Sequence, residues 1–348
     1  MDMGNYQLFR MNAYDLQNIA EEQQQEFFFH SRSKWDIVVY LIIMEMVSVG
    51  GGHLMEEKRR VLLLGASGYL GSQIYQELLR DNTIDLIGTC FSAQAVHQLL
   101  RVDVTDTLSF SAILHEFSPH VVIWALMSAT DERELIEKGL DVLLSQLPEK
   151  SKLIFISTDG IFGKGTGSYR EEDPPEPLDG RNLIATYSNA KIRGEARIRE
   201  RHPNHVIVRV GPIYGRNCVG QWDKRVASMC ADLEAGREIS RTGNLYKTFV
   251  HVEDVGNAIH ELLHGSYHGT LHLGPAKKES YYSFYKKMAL ALGLNADGVK
   301  ETLLTEAEAL ERGIPLDTSL RTKKAHELLQ TRFRQAGWEN GNENDKGV

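Results

Sequence analysis

Two rhythms of apolar and polar positions alternate from residue 59 onward. Val61-Leu62-Leu63-Leu64 is an unbroken apolar run, the pattern of a parallel strand buried on both faces. Leu70, Ile74 and Leu78 then recur at helical spacing, which predicts an amphipathic helix over 69–80. The succession continues with strands expected over 85–90, 99–103, 120–126, 152–157 and 205–210. Helices are expected over 106–117, with Asp106 as its cap, and over 186–201. Strands alternating with helices imply βαβ units and a parallel sheet. With right-handed crossovers the result is an α/β domain with a doubly wound sheet.

Beyond residue 215 the order is less regular. Helices are expected over 221–236, from an Asp254 cap to 264, and over 280–292, with a strand over 269–274. Gly236, Gly243, Gly265 and Gly274 punctuate these pieces. The chain therefore divides into an N-terminal extension (1–58), a dinucleotide-binding Rossmann domain (59–215), and a smaller, mainly substrate-binding region (216–334). Segments of the last, about 250–274, return to the core. Residues 335–348 read as a polar, disordered tail.

The extension opens with a Glu/Gln run over 21–26 and an apolar stretch over 37–44. That stretch is far short of the ~20 residues a bilayer span needs, and it lacks the features of a signal peptide. Gly50-Gly51-Gly52 lies just upstream of Met55. Such codons can spell a ribosome-binding sequence, so translation is expected to start at Met55. The alternative is a genuine extension, such as a helix.

Composition narrows the function classes. The 348 residues are 42% hydrophobic and 25% charged, with net charge −8, which fits a globular protein and gives no basic footprint for nucleic acid. Cys90, Cys218 and Cys230 are far apart and form no CxxC pair. They point to a reducing, cytoplasmic setting rather than to disulfides or a cysteine metal site. No membrane partner is expected, and a homodimer is allowed.

The first candidate chemistry is the loop Gly65-Ala66-Ser67-Gly68-Tyr69-Leu70-Gly71, between the first strand and first helix. The first glycine permits a tight turn, the second lets backbone approach a pyrophosphate, and the third lets helix and strand pack closely. The helix N-terminus adds N–H donors and partial positive charge. NAD-specific sites place an acid at the end of the second strand. Here Thr89-Cys90-Phe91-Ser92 offers only Thr89 and Ser92 as polar partners, so NADP or NAD is allowed.

The second is Tyr187-Ser188-Asn189-Ala190-Lys191. It sets a tyrosine and a lysine one helical turn apart. A neighbouring ammonium is expected to lower the phenol pKa and fit it for acid–base catalysis. Thr158 closes the fifth strand at the edge that faces cofactor in such sheets.

Taken together these residues resemble the extended short-chain dehydrogenase/reductases, in particular the dTDP-4-dehydrorhamnose reductase-like branch. The likeness spans roughly 59–332. It runs through the glycine loop, Val102-Asp103-Val104-Thr105-Asp106, Ser157-Thr158-Asp159-Gly160 and Tyr187-Ser188-Asn189-Ala190-Lys191. It continues through Arg209-Val210-Gly211-Pro212-Ile213-Tyr214-Gly215 and Thr248-Phe249-Val250-His251-Val252-Glu253-Asp254-Val255. The resemblance implies Tyr187 as the acid, Lys191 as its tuner and ribose contact, and Thr158 as the hydroxyl that orients a carbonyl. It also implies Asp103 and Val104 beside adenine, Ala125, Leu126 and Met127 along the cofactor, and Gly211, Pro212 and Ile213 at the nicotinamide.

The implied activity is NAD(P)H-dependent reduction of a keto group on a nucleotide-linked sugar or similar compound. A sugar-nucleotide epimerase holding NAD, and a non-catalytic regulatory or binding subunit of the same fold, are the alternatives. Three features depart from the branch: Trp124-Ala125-Leu126-Met127-Ser128 after the fourth strand, the insert Gly180-Arg181-Asn182-Leu183-Ile184, and Gly160 after Asp159. Related dehydratases carry glutamate at the last place, so dehydration is not expected.

Lesser signals are weighed against this frame. His260-Glu261-Leu262-Leu263-His264 fits the H-E-x-x-H zinc pattern, yet it is read as a packed helix with no metal. Gly163-Lys164-Gly165-Thr166 is read as a turn. Lys224, Arg225, Arg241 and Lys247 are the cations available to a diphosphate.

Overall fold

The computed structural model describes residues 57–91, 99–128 and 131–337. The Met55 start, Ser92 and nearly all of the 335–348 tail lie outside them.

The unbroken apolar runs become the middle of a seven-stranded parallel sheet. Its strands are β1 (Arg59–Leu64), β2 (Ile84–Cys90), β3 (Leu100–Arg101), β4 (Val121–Trp124), β5 (Lys152–Thr158) and β6 (His205–Val210). The short strands β7 (Ile213–Tyr214), β8 (Ile239–Thr242), β9 (Tyr246–Lys247) and β10 (Val250–His251) precede the seventh member, β11 (Gly269–Leu273). The order is β11-β6-β5-β4-β1-β2-β3, parallel throughout. Strand order reverses at β1, between β2 and β4. That reversal opens a crevice at the strands' C-terminal ends.

Successive side chains of β1 serve opposite faces. Val61 and Leu63 join one apolar cluster with Ile74 and Leu78 of α1 (Tyr69–Leu79). Leu62 and Leu64 join another with Phe110 of α2 (Thr107–Phe117). Asp106 caps α2 as expected, accepting from the N–H groups of Leu108 and Ser109.

The crossover from β4 to β5 holds a helix, α3, that is not among the elements expected above. It runs as Glu132–Glu134, a π-helical Leu135–Leu140 and Asp141–Gln146. Its buried Ile136, Leu140, Leu143, Leu144 and Leu147 fall at i, i+4, i+7, i+8 and i+11, so the helix is legible in the sequence despite the wider turn. Gly139 within it lets Val104 approach; a β-carbon there would sit 2.7 Å from Val104 Cγ2.

The next helices are α4 (Ala185–Arg201), α5 (Lys224–Glu234), α6 (Val252–His264) and α7 (Tyr281–Ala291). The cap of α6 corrects the sequence reading: His251, not Asp254, occupies it and accepts from the Glu253 N–H. Asp254 instead binds Arg334 at 2.7 Å. The predicted third and fourth strands are shorter than expected, because the chain leaves the sheet early at its C-terminal edge.

A smaller lobe packs Tyr214, Met229, Phe249, Phe284 and Met288 into its own core. Phe249 and Phe284 stack with ring centroids 3.9 Å apart. The last described stretch crosses back: Ala325, Leu329 and Phe333 join the cluster under α1 and α6. No helix among the described residues is long and apolar enough to cross a membrane.

Candidate functional site

The glycine loop is built as a cradle. Gly65 has φ +89°, a conformation that disfavours other residues. The Gly68 N–H donates to the Gly65 carbonyl at 3.0 Å, and Gly68 occupies the α1 N-cap with no side chain bonded to the helix end. A β-carbon on Gly71 would sit 2.0 Å from the Gly65 carbonyl oxygen, so helix and strand touch only because residue 71 is glycine. Ser67 is exposed, whereas Tyr69 reaches across to donate from its hydroxyl to the Gly215 carbonyl at 2.8 Å. Leu70 packs partly against the core.

Thr89 is placed differently from its expected role. It is buried, and its hydroxyl accepts from the Gly65 N–H at 3.1 Å, so it braces the loop rather than facing outward. Asp103 is exposed, with its carboxylate accepting from the Thr105 N–H and hydroxyl at 2.9 and 2.7 Å. Val104 is core. Ala125 continues β4 beside the loop; a β-carbon on Gly65 would meet the Ala125 carbonyl oxygen at 3.0 Å. Leu126 is half-buried, while Met127 and Phe91 are each 69% exposed. Two large apolar side chains thus stand open at the C-terminal edge of the sheet.

Thr158, Tyr187 and Lys191 come together where β5 meets α4. Thr158 ends β5 and accepts from the Gly160 N–H at 3.0 Å. Tyr187 is half-buried and hydrogen-bonds to Thr158. The Lys191 Nζ lies 5.7 Å from the Tyr187 ring centroid and 4.8 Å from that of Phe155.

The surroundings of Tyr187 act against the expected tuning. Burial pushes the Tyr187 phenol up, the negative charges of Glu132 and Asp159 push it the same way, and only the bond to Thr158 opposes them. The lysine's own partner adds to the effect of burial. Lys191 Nζ sits 3.0 Å from Glu132 Oε1, with both side chains 1% exposed, and donates to the Leu126 carbonyl at 3.1 Å. The ammonium is matched locally by a carboxylate that the sequence reading did not single out. Glu132 also accepts from the Ser128 N–H at 2.7 Å, so it ties the segment after β4 to α4.

Asp159 leads into a second buried pair. Its Oδ2 lies 3.0 Å from Lys247 Nζ and accepts from the Thr318 hydroxyl. Lys247 is therefore engaged and not free for a diphosphate. Arg225 is held by Asp223 and the Ile213 carbonyl, and Arg241 lies over the Tyr285 ring at 4.2 Å. Gly211 lets two backbones cross: a β-carbon there would sit 2.0 Å from the Thr248 carbonyl oxygen. Pro212 and Ile213 follow it into the pairing of β7 with β10. Gly160 faces fully buried Ser188, whose Oγ would be 2.6 Å from an added β-carbon.

The insert binds the following lobe. Arg181 pairs with Asp179 and donates to the Glu311 carbonyl, and Asn182 donates to the Gly313 carbonyl. A groove of about 780 Å³ runs between it and residues 306–316, with Lys164, Glu176, Pro177 and Pro315 among its walls. Thr158, Tyr187 and Lys191 are not among those walls. In the H-E-x-x-H segment, Glu261 turns away and accepts from the Gln330 and Thr331 N–H groups.

Comparison with known proteins agrees with this layout. Methionine adenosyltransferase 2 subunit beta of Pongo abelii is 26% identical over 304 residues, covering 80% of this chain and 86% of that protein. The structure of a hypothetical dTDP-4-dehydrorhamnose reductase from Sulfolobus tokodaii superposes with TM-score 0.65 at 22% identity, covering 79% and 97% of the two chains. That of dTDP-4-dehydrorhamnose reductase from Bacillus anthracis in complex with NADP gives 0.64 at 23% identity, covering 79% and 95%. These two share the fold. The RmlD substrate binding domain family matches residues 59–342, taking in the glycine loop, the Thr158–Tyr187–Lys191 cluster and the smaller lobe, and the chain belongs to that family.

Proposed function

We propose that the protein is an NAD(P)H-dependent reductase of a keto group on a nucleotide-linked sugar or a similar carbonyl compound. The observation that carries this reading is the convergence of Thr158, Tyr187 and Lys191 at the sheet edge that also bears the glycine loop. The loop fits a pyrophosphate: a positive-φ glycine, an N-cap with no side-chain lid, and a helix end pointing its N–H groups outward. A bound nicotinamide would supply the hydride. Thr158 would hold the substrate oxygen, and the Tyr187 phenol would donate the proton that neutralises the developing alkoxide. Burial and the carboxylates keep that phenol protonated, which suits a donor in the reductive direction. Lys191 would position Tyr187 and the segment after β4 through Glu132. Gly160 stands where related dehydratases carry glutamate, and the neighbouring Asp159 is engaged by Lys247 and Thr318, so the base of a dehydration is missing from that place.

The test is oxidation of NADPH and of NADH with dTDP-4-keto sugars and a panel of other nucleotide-linked ketoses. Dinucleotide oxidation matched by alcohol formation supports the proposal. NAD that stays bound through purification, together with interconversion of sugar epimers, would point to an epimerase.

A second reading is a dinucleotide-binding subunit of a larger assembly. The pairing of Lys191 with Glu132 favours it, because the ammonium is not left to activate Tyr187. The likeness to a protein named as a subunit agrees. Tight dinucleotide binding with no turnover across the whole panel would select this reading over the first.

A further inference from the structure

The two histidines of the H-E-x-x-H segment do not stand alone. Both lie on the face of α6 that meets the turn after α1, where Asp81 follows the helix end. His260 Nε2 and His264 Nε2 lie 2.9 and 2.7 Å from the same oxygen, Asp81 Oδ2. The donor atoms of all three residues fall within 4.8 Å of one another. We propose that Asp81, His260 and His264 form a binding site for a divalent ion of the zinc type, one that clamps the end of α1 to the end of α6.

Several independent features support the site. Two imidazoles and one carboxylate are a donor set suited to zinc and its neighbours rather than to magnesium or calcium. The carboxylate is oriented in advance: its other oxygen, Oδ1, accepts from the Thr83 N–H and hydroxyl at 2.9 and 2.6 Å. That leaves Oδ2 aimed at the histidines. Bond lengths of about 2.0–2.1 Å to nitrogen and 2.0–2.2 Å to oxygen require tetrahedral ligands about 3.3 Å apart, so insertion needs each histidine nitrogen to part from Asp81 Oδ2 by only about half an ångström, with the two nitrogens already within 4.8 Å of each other. The histidine side chains are 37% and 38% exposed, which gives an ion a path in and leaves room for water as a further ligand.

Charges of both signs meet at the site. Asp81 stands just past the C-cap of α1, and His264 is in the last turn of α6, so the negative ends of two helix dipoles converge. Arg59 and Lys152 take the Leu263 and Leu262 carbonyls; the Asp81 carboxylate sets one formal negative charge against those two cations.

The site is structural rather than hydrolytic. Glu261, which would be the base of a zinc peptidase, is occupied by Gln330 and Thr331. Asp81 also precedes β2, so the site lies at the sheet edge opposite the glycine loop and Thr158. The inference is independent of the proposed reductase activity.

The test titrates the full chain with zinc chloride calorimetrically, in buffer free of chelator, and with cobalt(II) by visible absorption. The expected result is one ion per chain at micromolar or tighter affinity, with a raised thermal midpoint. Affinity should fall at least 30-fold in His260→Ala, His264→Ala and Asp81→Asn, with dinucleotide affinity unchanged. No stoichiometric uptake by the wild-type chain at 100 µM zinc, or unchanged affinity in the His260→Ala/His264→Ala double variant, would overturn the proposal. X-ray absorption on the zinc-loaded wild-type protein reads the ligands without any variant: two imidazoles with light oxygen donors are expected, and a shell containing sulfur or lacking imidazole would also overturn it.

Discussion

Glu132 and Lys191 form a buried ion pair, 3.0 Å apart and almost without solvent contact. Removing one partner of such a pair strands a charge in a poorly solvated place and costs about 3–5 kcal/mol. Glu132→Gln should therefore lower stability by an amount in that range. It should also make the Tyr187 phenol more acidic, because one of the negative charges that raises it is gone. Reduction needs the protonated phenol, so the alkaline limb of the rate profile should move to lower pH. Denaturant melts and a pH–rate profile of the variant check both effects; an unmoved limb would show that the pair does not act on Tyr187.

Tyr187→Phe deletes the transferable proton and little else. Turnover should fall by ~10²–10⁴-fold, while dinucleotide affinity stays near wild type. Stopped-flow reduction and a fluorescence titration separate the two. Near-full turnover would remove Tyr187 from the role of acid.

The loop glycines should fail in different ways. Gly68→Val places a branched side chain at the uncapped helix end, 3.3 Å at the β-carbon from the Gly65 carbonyl oxygen. It should leave a folded protein that binds NAD(P) weakly. Gly71→Ala forces a carbon into the 2.0 Å gap against the same carbonyl and should lower the melting temperature before binding is considered. Circular dichroism melts paired with dinucleotide titrations would contradict the assignment if the two variants behaved alike.

His272 yields a pH prediction. It is fully buried, its Nε2 faces Arg209 at 3.4 Å, and Nδ1 meets the Arg321 carbonyl. Burial first, and the Arg209 charge second, push its pKa down to about 3. The unfolded chain protonates this histidine near its ordinary value of about 6.5, while the folded one cannot. Its contribution is thus fully present above about pH 6.5 and is lost as pH falls toward 3, with a slope of about 1.4 kcal/mol per unit. In His272→Gln that slope should flatten over this range, read by chemical denaturation at a series of pH values.

The sequence by itself determined the order of the main sheet's strands and the glycine loop, and it singled out Thr158, Tyr187 and Lys191 as candidates. Each is a local signal: an apolar run, a helical repeat, or a short motif whose spacing sets its own geometry. It did not disclose the π-helical turn of Leu135–Leu140 within α3, although Ile136, Leu140, Leu143, Leu144 and Leu147 keep helical spacing through it and make the helix itself legible. Nor did it disclose what the site residues touch. Lys191 meets Glu132 across 59 positions of chain, Asp159 meets Lys247 across 88, and Asp81 meets His260 across 179. Whether a lysine tunes its tyrosine or neutralises a carboxylate, and whether two histidines on a helix find a third donor, depend on which distant segments the fold brings alongside. Those partnerships are made by tertiary packing, since no local spacing encodes a contact between elements on different sides of a crossover.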